Sequence, residues 1–489
     1  MLKLNDSKRR TIGLYLINIL ALMPLLCFAF QHFSTDTYVY LADGLNGHCI
    51  QWISCFRYFG ALISKISFLF GDNPIVSPFF DVIFFILTVA LSITFFSRFV
   101  YRQLEKKSRL NYIIINVSVL ISVTNVWFIN ILTFPECIFP TAVGVVLCFT
   151  AIYIYFSKQN IAGKVISAVL LICSTAIFQQ FLVVFLIYSV LLCGIKLNNA
   201  NSTAKAVIIE YLKLIAIILI SGIIYYGVGI CVQKLFSVVA NERASLKIDT
   251  IIENLIYFIT HQHSYLKGRG VFDSEILTLC YLIVGAVWFV AFIYHIKKDK
   301  INFKNLCLFL SYFVAYASSF LMLTITTSRV CRAVFGLFTV FALFSIGSIL
   351  LMNKRIVKYI LALTLVFVVA LNMYANLEMS LDQREVNTQD MMIAEQYLYE
   401  IEKYEKAENV VVDKIEFCSD VNPEISVDSA LNNFYSFRSL MTYISGRDFY
   451  VTEMTNEEIR KSFEEKDWDI LVEEEQLIFE EDTLYVCVC

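Results

Sequence analysis

Few ionisable or amide side chains stand beside the apolar runs of this chain, and their types suit chemistry. Asp36 lies in "FQHFSTDTYVYLADG", just past the first apolar run, with Asp43 seven residues on. Arg57 lies in "CFRYFGALI", Glu136 in "TFPECIFP", Gln179 and Gln180 in "IFQQFLVVFL", and Arg329 and Arg332 in "SRVCRAVFG". Ionisable groups at a membrane boundary are costly unless water or a partner serves them, which makes these positions functional candidates. Carboxylates accept protons and guanidinium groups bind anions, so acids and arginines together suit an anionic substrate that delivers a group to a hydroxyl. Each residue also has a plain structural reading. Asp36 is a good helix N-cap, Asp43 fits a turn in "ADG", and Glu136 after Pro135 is a helix-start charge. The arginines fit headgroup anchors, and the glutamines fit bridges between helices. His32, His261 and His263 read as interfacial histidines, and no metal site is assigned.

The elements that must position these residues are membrane helices. In 489 residues, 58% are hydrophobic and 17% charged, with a mean hydropathy of +0.68, far too apolar for a soluble domain. Runs near the ~20 residues needed to span a bilayer recur, and eleven transmembrane helices are expected. They fall at 11–30, 79–97, 111–129, 137–157, 163–178, 181–195, 211–232, 276–296, 305–324, 333–352 and 356–374. The first lacks a small-residue cleavage site and is expected to remain as an uncleaved helix. Lys3, Lys8, Arg9 and Arg10 place the amino terminus in the cytoplasm, and the basic loops at 98–109, 297–304 and 354–358 agree with that sidedness. With an odd count the carboxyl terminus lies outside, and every candidate above falls on the outer face.

Two long external loops are expected, 31–78 and 233–275, each with an amphipathic surface helix. The first is "WISCFRYFGALISKISFLF", with Arg57 on it, and the second is "KIDTIIENLIYFITHQH". Charge divides the chain at about residue 374. Residues 1–374 hold 30 Lys and Arg against 14 Asp and Glu, whereas 375–489 hold 9 against 28. The domains are therefore a transmembrane body at 1–374 and an acidic tail at 375–489, read as a small extracytoplasmic α/β accessory domain. Its sign is wrong for nucleic acid or an anionic lipid surface. The expected helices of the tail are "VNTQDMMIAEQYLYEIEKYEKA", "SALNNFYSFRSLMTYI" and "NEEIRKSFEEK". Its expected strands are "NVVVDKIEF", "DFYVTE", "DILVEE" and "TLYVCVC". The fourteen cysteines lack a paired spacing, and no disulfide is assigned.

The order of these motifs resembles the GT-C superfamily of integral membrane glycosyltransferases, and within it the bacterial GtrII-type glucosyltransferases. The likeness rests on the acid in "STDTY", the arginine in "CFRYFGALI", the glutamate in "FPECIFP", the paired glutamines and "SRVCRAVFG". The segment "NMYANLEMSLDQREVNTQD" leaving the last helix is similar as well. The resemblance implies inverting transfer of a hexose such as glucose from a polyprenyl-phosphate carrier, usually undecaprenyl phosphate, to a surface polysaccharide, teichoic acid or O-antigen. It implies a bacterial cytoplasmic membrane, a nearby polyprenyl-phosphate-sugar synthase and flippase as partners, and no cofactor, a divalent metal being left open. By position Asp36 matches the catalytic acid residue of the family, with Asp43 or Glu136 as a second carboxylate where many relatives carry two adjacent acids. Arg329, Arg332 and Arg57 would bind the donor phosphate, and Gln179 and Gln180 the sugar or acceptor. A polysaccharide polymerase would be expected to lack the acid opening the first external loop. A flippase or transporter would be expected to show charged or broken helix centres, which this chain lacks.

Overall fold

The computed structural model describes residues 6–69, 77–158, 160–198, 203–241, 250–268, 272–299, 303–325, 334–352, 354–419, 429–432, 434–464 and 476–488. Nineteen α-helices and four strands occur among them. The amino-terminal half holds α1 (Asp6–Leu22), α2 (Thr35–Ser54), α3 (Tyr58–Ser67), α4 (Phe79–Gln103), α5 (Arg109–Ile121), α6 (Val126–Ile129), α7 (Pro135–Ser157), α8 (Ile161–Thr175), α9 (Gln180–Asn198) and α10 (Ala204–Leu235). There follow α11 (Ile251–Thr260), α12 (Gln262–Lys267), α13 (Glu275–Asp299), α14 (Phe303–Ser318), α15 (Leu321–Ile325), α16 (Phe335–Leu351) and α17 (Arg355–Glu408). The tail adds β1 (Lys414–Ser419), α18 (Phe434–Ser445), β2 (Tyr450–Glu453), α19 (Glu457–Glu464), β3 (Leu477–Glu480) and β4 (Thr483–Val488).

Among the described residues seven helices are long and apolar enough to cross a membrane, or eight if α5 and the bent segment after it form one broken span. Eight of the eleven expected spans fall on these helices. The runs near 163–178, 305–324 and 333–352 lie on shorter apolar helices. The outer face of α10 leaves Leu212, Leu219 and Ile223 at least 60% exposed. An apolar surface of that kind suits contact with lipid.

Two further expectations change. The stretch from Trp52 to Phe70 is not one helix, because the chain breaks at Cys55–Arg57 between α2 and α3, with Phe56 at φ 61°. The last span and the first tail helix are one uninterrupted element of 54 residues. Neither glycine nor proline occurs from Arg355 to Glu408, so nothing local stops it. One face of α17 is polar and buried at spacings of three and four residues, through Asn372, Asn376, Ser380, Gln383, Asn387 and Asp390.

The four strands form one sheet in the order β2-β1-β4-β3. β1 is parallel to both β2 and β4, and β3 is antiparallel to β4. The "DILVEE" strand expected from the sequence lies outside the described residues. The apolar cluster under this sheet is not confined to the tail. It unites Ala394, Tyr397, Phe417, Phe437 and Leu440 with Phe33, Tyr38 and Tyr40 from the start of α2. The first turns of α2 therefore pack into the tail core, while its later residues Cys49, Trp52 and Ile53 belong to the membrane core.

Candidate active site

The helix that carries Asp36 starts at a well-formed cap. Ser34 is the N-cap, in extended backbone, and its Oγ accepts from the Thr37 N–H at 3.2 Å. The Ser34 N–H in turn donates to Thr37 Oγ1 at 3.1 Å, which completes a capping box. Asp36 is thus not the cap. It stands in the first turn, where the unsatisfied N–H end of a helix favours an acid, and its carboxylate is left for other work. Thr37 Oγ1 donates to Glu136 Oε2 at 3.2 Å. Because that hydrogen is committed, the 2.7 Å contact between the Ser34 and Thr37 hydroxyls has Ser34 as donor, and the short relay points toward Glu136.

Glu136 comes from a different element. It is the second residue of α7, after Pro135 at the first position, where a missing N–H costs nothing. Only 3% of it is exposed. It faces a cleft lined by Asp36, Tyr40, Trp52, Arg57, Ile131, Phe134, Glu136, Cys137 and Phe178. Three of the sequence candidates, Asp36, Arg57 and Glu136, therefore converge.

Asp36 and Arg57 are 21 positions apart, which a straight helix would spread over roughly 30 Å. They share one cleft because α2 bends at Gly44, with φ 69° and ψ −172°. Only glycine enters that backbone region at little cost. His48 packs inside the bend, with ring centroids 4.3 Å from Tyr40 and 5.1 Å from Trp52. It is fully buried, and neither ring nitrogen has a hydrogen-bond partner. Burial holds its pKa down to about 3, so the imidazole is neutral.

Arg57 follows the break after α2. Its guanidinium lies 4.5 Å from the centroid of Phe178 and 6.0 Å from that of Trp52, a stacked arrangement suited to arginine. Its Nε is buried without a hydrogen-bond partner, and among the described residues no ion pair joins Arg57 to either carboxylate. Trp52 reaches its place because Gly60 has no side chain; a Cβ there would lie 2.1 Å from the indole. The break is held from outside. Gln233 Nε2 donates to the Ile53 and Ser54 carbonyls at 3.1 and 3.2 Å, and Gln179 Nε2 donates to the Cys55 carbonyl at 2.8 Å.

The remaining candidates separate. Gln179 does not line the cleft, and its amide also donates to the Tyr225 hydroxyl at 3.0 Å. Gln180 is buried in α9 with its Oε1 beside Gly336, on the side of α16. Asp43 is exposed just before the bend and does not line the cleft. Arg329 and Arg332 lie outside the described residues. The His32 ring nitrogens face the Phe30 and Leu132 carbonyls at 2.8 and 3.0 Å. Tyr40, Trp52 and Phe178 were missed as cleft residues. One signal pointed to Tyr40, which stands four residues after Asp36 and so on the same helix face. Burial first, then the charges of Asp36 and Glu136, keep its phenol well above the ordinary tyrosine range, so it is protonated. No group of three or more histidine, cysteine or acidic side chains that could hold a metal ion occurs among the described residues.

A family model, Glucosyl transferase GtrII, matches residues 25–352. Every residue that lines the cleft falls inside that segment, and α17 with the tail falls outside it. No curated protein matches the chain.

Proposed function

We propose that this chain, which belongs to the GtrII glucosyl transferase family, is an inverting enzyme that moves glucose from a polyprenyl-phosphate carrier to a glycan outside the cytoplasmic membrane. The observation that carries the proposal is the convergence of Asp36, Glu136 and Arg57 on one cleft. As the acceptor hydroxyl attacks the anomeric carbon, its proton passes to Asp36, the new glycosidic bond forms, and the bond from that carbon to the phosphate oxygen breaks. Asp36 suits the base role because it is only partly buried and the Ser34 cap leaves its carboxylate unused. Glu136, oriented by Thr37, and the Tyr40 phenol take sugar or acceptor hydroxyls. Arg57 holds the departing phosphate, and its stacking on Phe178 keeps the guanidinium pointed without a carboxylate to neutralise it. Arg329 and Arg332 are proposed to add to the phosphate site from the segment before α16.

General base catalysis of this kind contributes roughly 10²- to 10⁴-fold. In the proposed topology the amino terminus is cytoplasmic, and the cleft and the acidic tail face outward. The test supplies membranes containing the protein with radiolabelled polyprenyl-phosphoglucose, or with a labelled nucleotide glucose, and follows label into glycan. Transfer from the lipid donor alone supports the reading. Equal or faster transfer from the nucleotide sugar, with no lipid intermediate, would overturn it.

A further inference from the structure

The acid end of the cleft is anchored by residues outside the family-matched segment. Gln383 and Asn387 stand one turn apart on α17 and are buried. Both grip the backbone of Phe33, the residue before the Ser34 cap. The Phe33 N–H donates to Asn387 Oδ1 at 2.7 Å. The Phe33 carbonyl accepts from Gln383 Nε2 at 2.7 Å and from Asn387 Nδ2 at 2.8 Å. One asparagine thus pairs with a backbone residue as a neighbouring strand would, and a glutamine fills the carbonyl's second lone pair. The Phe33 ring packs against Tyr38 and Tyr443 at centroid distances of 5.1 and 6.0 Å, so the same residue is also built into the tail core.

The other end of α2 is held by a different set, Gln233 and Gln179, which bind the Ile53, Ser54 and Cys55 carbonyls. The bend at Gly44 lies between the two sets of contacts. We infer that Gln383 and Asn387 are positioning residues that set Asp36 in the cleft by clamping Phe33, and that Gln233 independently sets Arg57. The tail helix is then part of the catalytic apparatus rather than an appendage. This rests on the roles proposed above for Asp36 and Arg57. It makes a distinct statement, that the two clamps act on different kinetic constants.

The experiment compares Asn387→Leu, Gln383→Leu and Gln233→Leu in the full-length protein in membranes, with polyprenyl-phosphoglucose as donor. Amide hydrogen exchange of the segment 30–38 is followed in the same samples. A displacement near 1 Å of a reacting group costs on the order of 10²-fold. Asn387→Leu is expected to lower kcat by about that factor with the donor KM unchanged within about twofold, while exchange of segment 30–38 accelerates. Gln383→Leu, which removes one bond of three, is expected to do the same to a smaller degree, and it decides the matter if Asn387→Leu fails to accumulate. Gln233→Leu is expected to raise the donor KM about tenfold with little change in kcat. Faster exchange at 30–38 with kcat unchanged would overturn the inference, as would equal effects of all three variants on kcat and KM. Asp36→Asn is assayed alongside. If it retained full activity while Asn387→Leu lost kcat, the base assignment would fail, and positioning of Asp36 by the clamp would be overturned as the cause of that loss.

Discussion

Replacing Gly44 with alanine tests whether the bend in α2 is what lets Asp36, on that helix, share a cleft with Arg57, just beyond its end. At φ 69° and ψ −172° a residue with a Cβ is strained by about 1–3 kcal/mol. A Cβ built at this position meets no atom within 4 Å, so the whole cost is conformational and none of it is a clash. That cost falls wholly on the bent state. At about 1.4 kcal/mol per tenfold change, the ratio of bent to straighter forms falls about 5- to 150-fold. Those forms carry Asp36 and Arg57 too far apart to act on one substrate. Initial rates of glucosyl transfer at matched expression are therefore expected to fall by about that factor, with faster hydrogen exchange across residues 40–48. Undiminished transfer with unchanged exchange would refute the reasoning, because it would mean that the bend is neither strained nor needed.

Other perturbations follow from the same geometry. Arg57→Lys keeps the charge but loses the planar contact with Phe178 and, under the proposed role, two-point binding of phosphate, and steady-state kinetics should show the donor KM raised about tenfold with a smaller fall in kcat. Ser34→Ala removes the cap of α2 and should cost about 0.5–2 kcal/mol, measured as a lower thermal unfolding midpoint. His48 has a folded-state pKa of about 3, against about 6.5 when unfolded. The unfolded chain therefore takes up a proton that the folded chain refuses, and the stability due to His48 is full above pH 6.5 and is lost as pH falls toward 3. The slope is at most about 1.4 kcal/mol per pH unit. His48→Leu should flatten the fall in unfolding midpoint between pH 6.5 and 4.5, and an unchanged slope would contradict this.

Asp36, Arg57 and Glu136 were legible because charge beside an apolar run is rare and costly, and that physics acts wherever the chain later folds. The roles of neighbours were not legible. Gln179 and Gln180 are adjacent in sequence, yet one donates to the Cys55 carbonyl and the other lies beside Gly336. Which side chain faces the cleft depends on the turn before α9, not on residue type. Asp43 was offered as a second carboxylate, and it stands exposed at the residue before the bend. The long α17 was hidden because Glu378, Asp382, Arg384 and Glu385 interrupt its apolar pattern and read as an exit from the membrane. Backbone hydrogen bonding does not stop at such residues, and on the buried polar face Gln383, Asn387 and Asp390 find tertiary partners that no local pattern announces. The helices around 163–178, 305–324 and 333–352 were counted as spans from their hydropathy, and they are shorter than the other expected spans.

The most direct measurement compares Asp36→Asn with the parent protein for transfer of glucose from polyprenyl-phosphoglucose, with donor binding followed in parallel. The amide keeps the shape of the side chain and removes only its capacity to take a proton. A loss of roughly 10²-fold or more in kcat, with donor affinity retained, is the expected result. Transfer within a few-fold of the parent would contradict the assignment of Asp36 as the base.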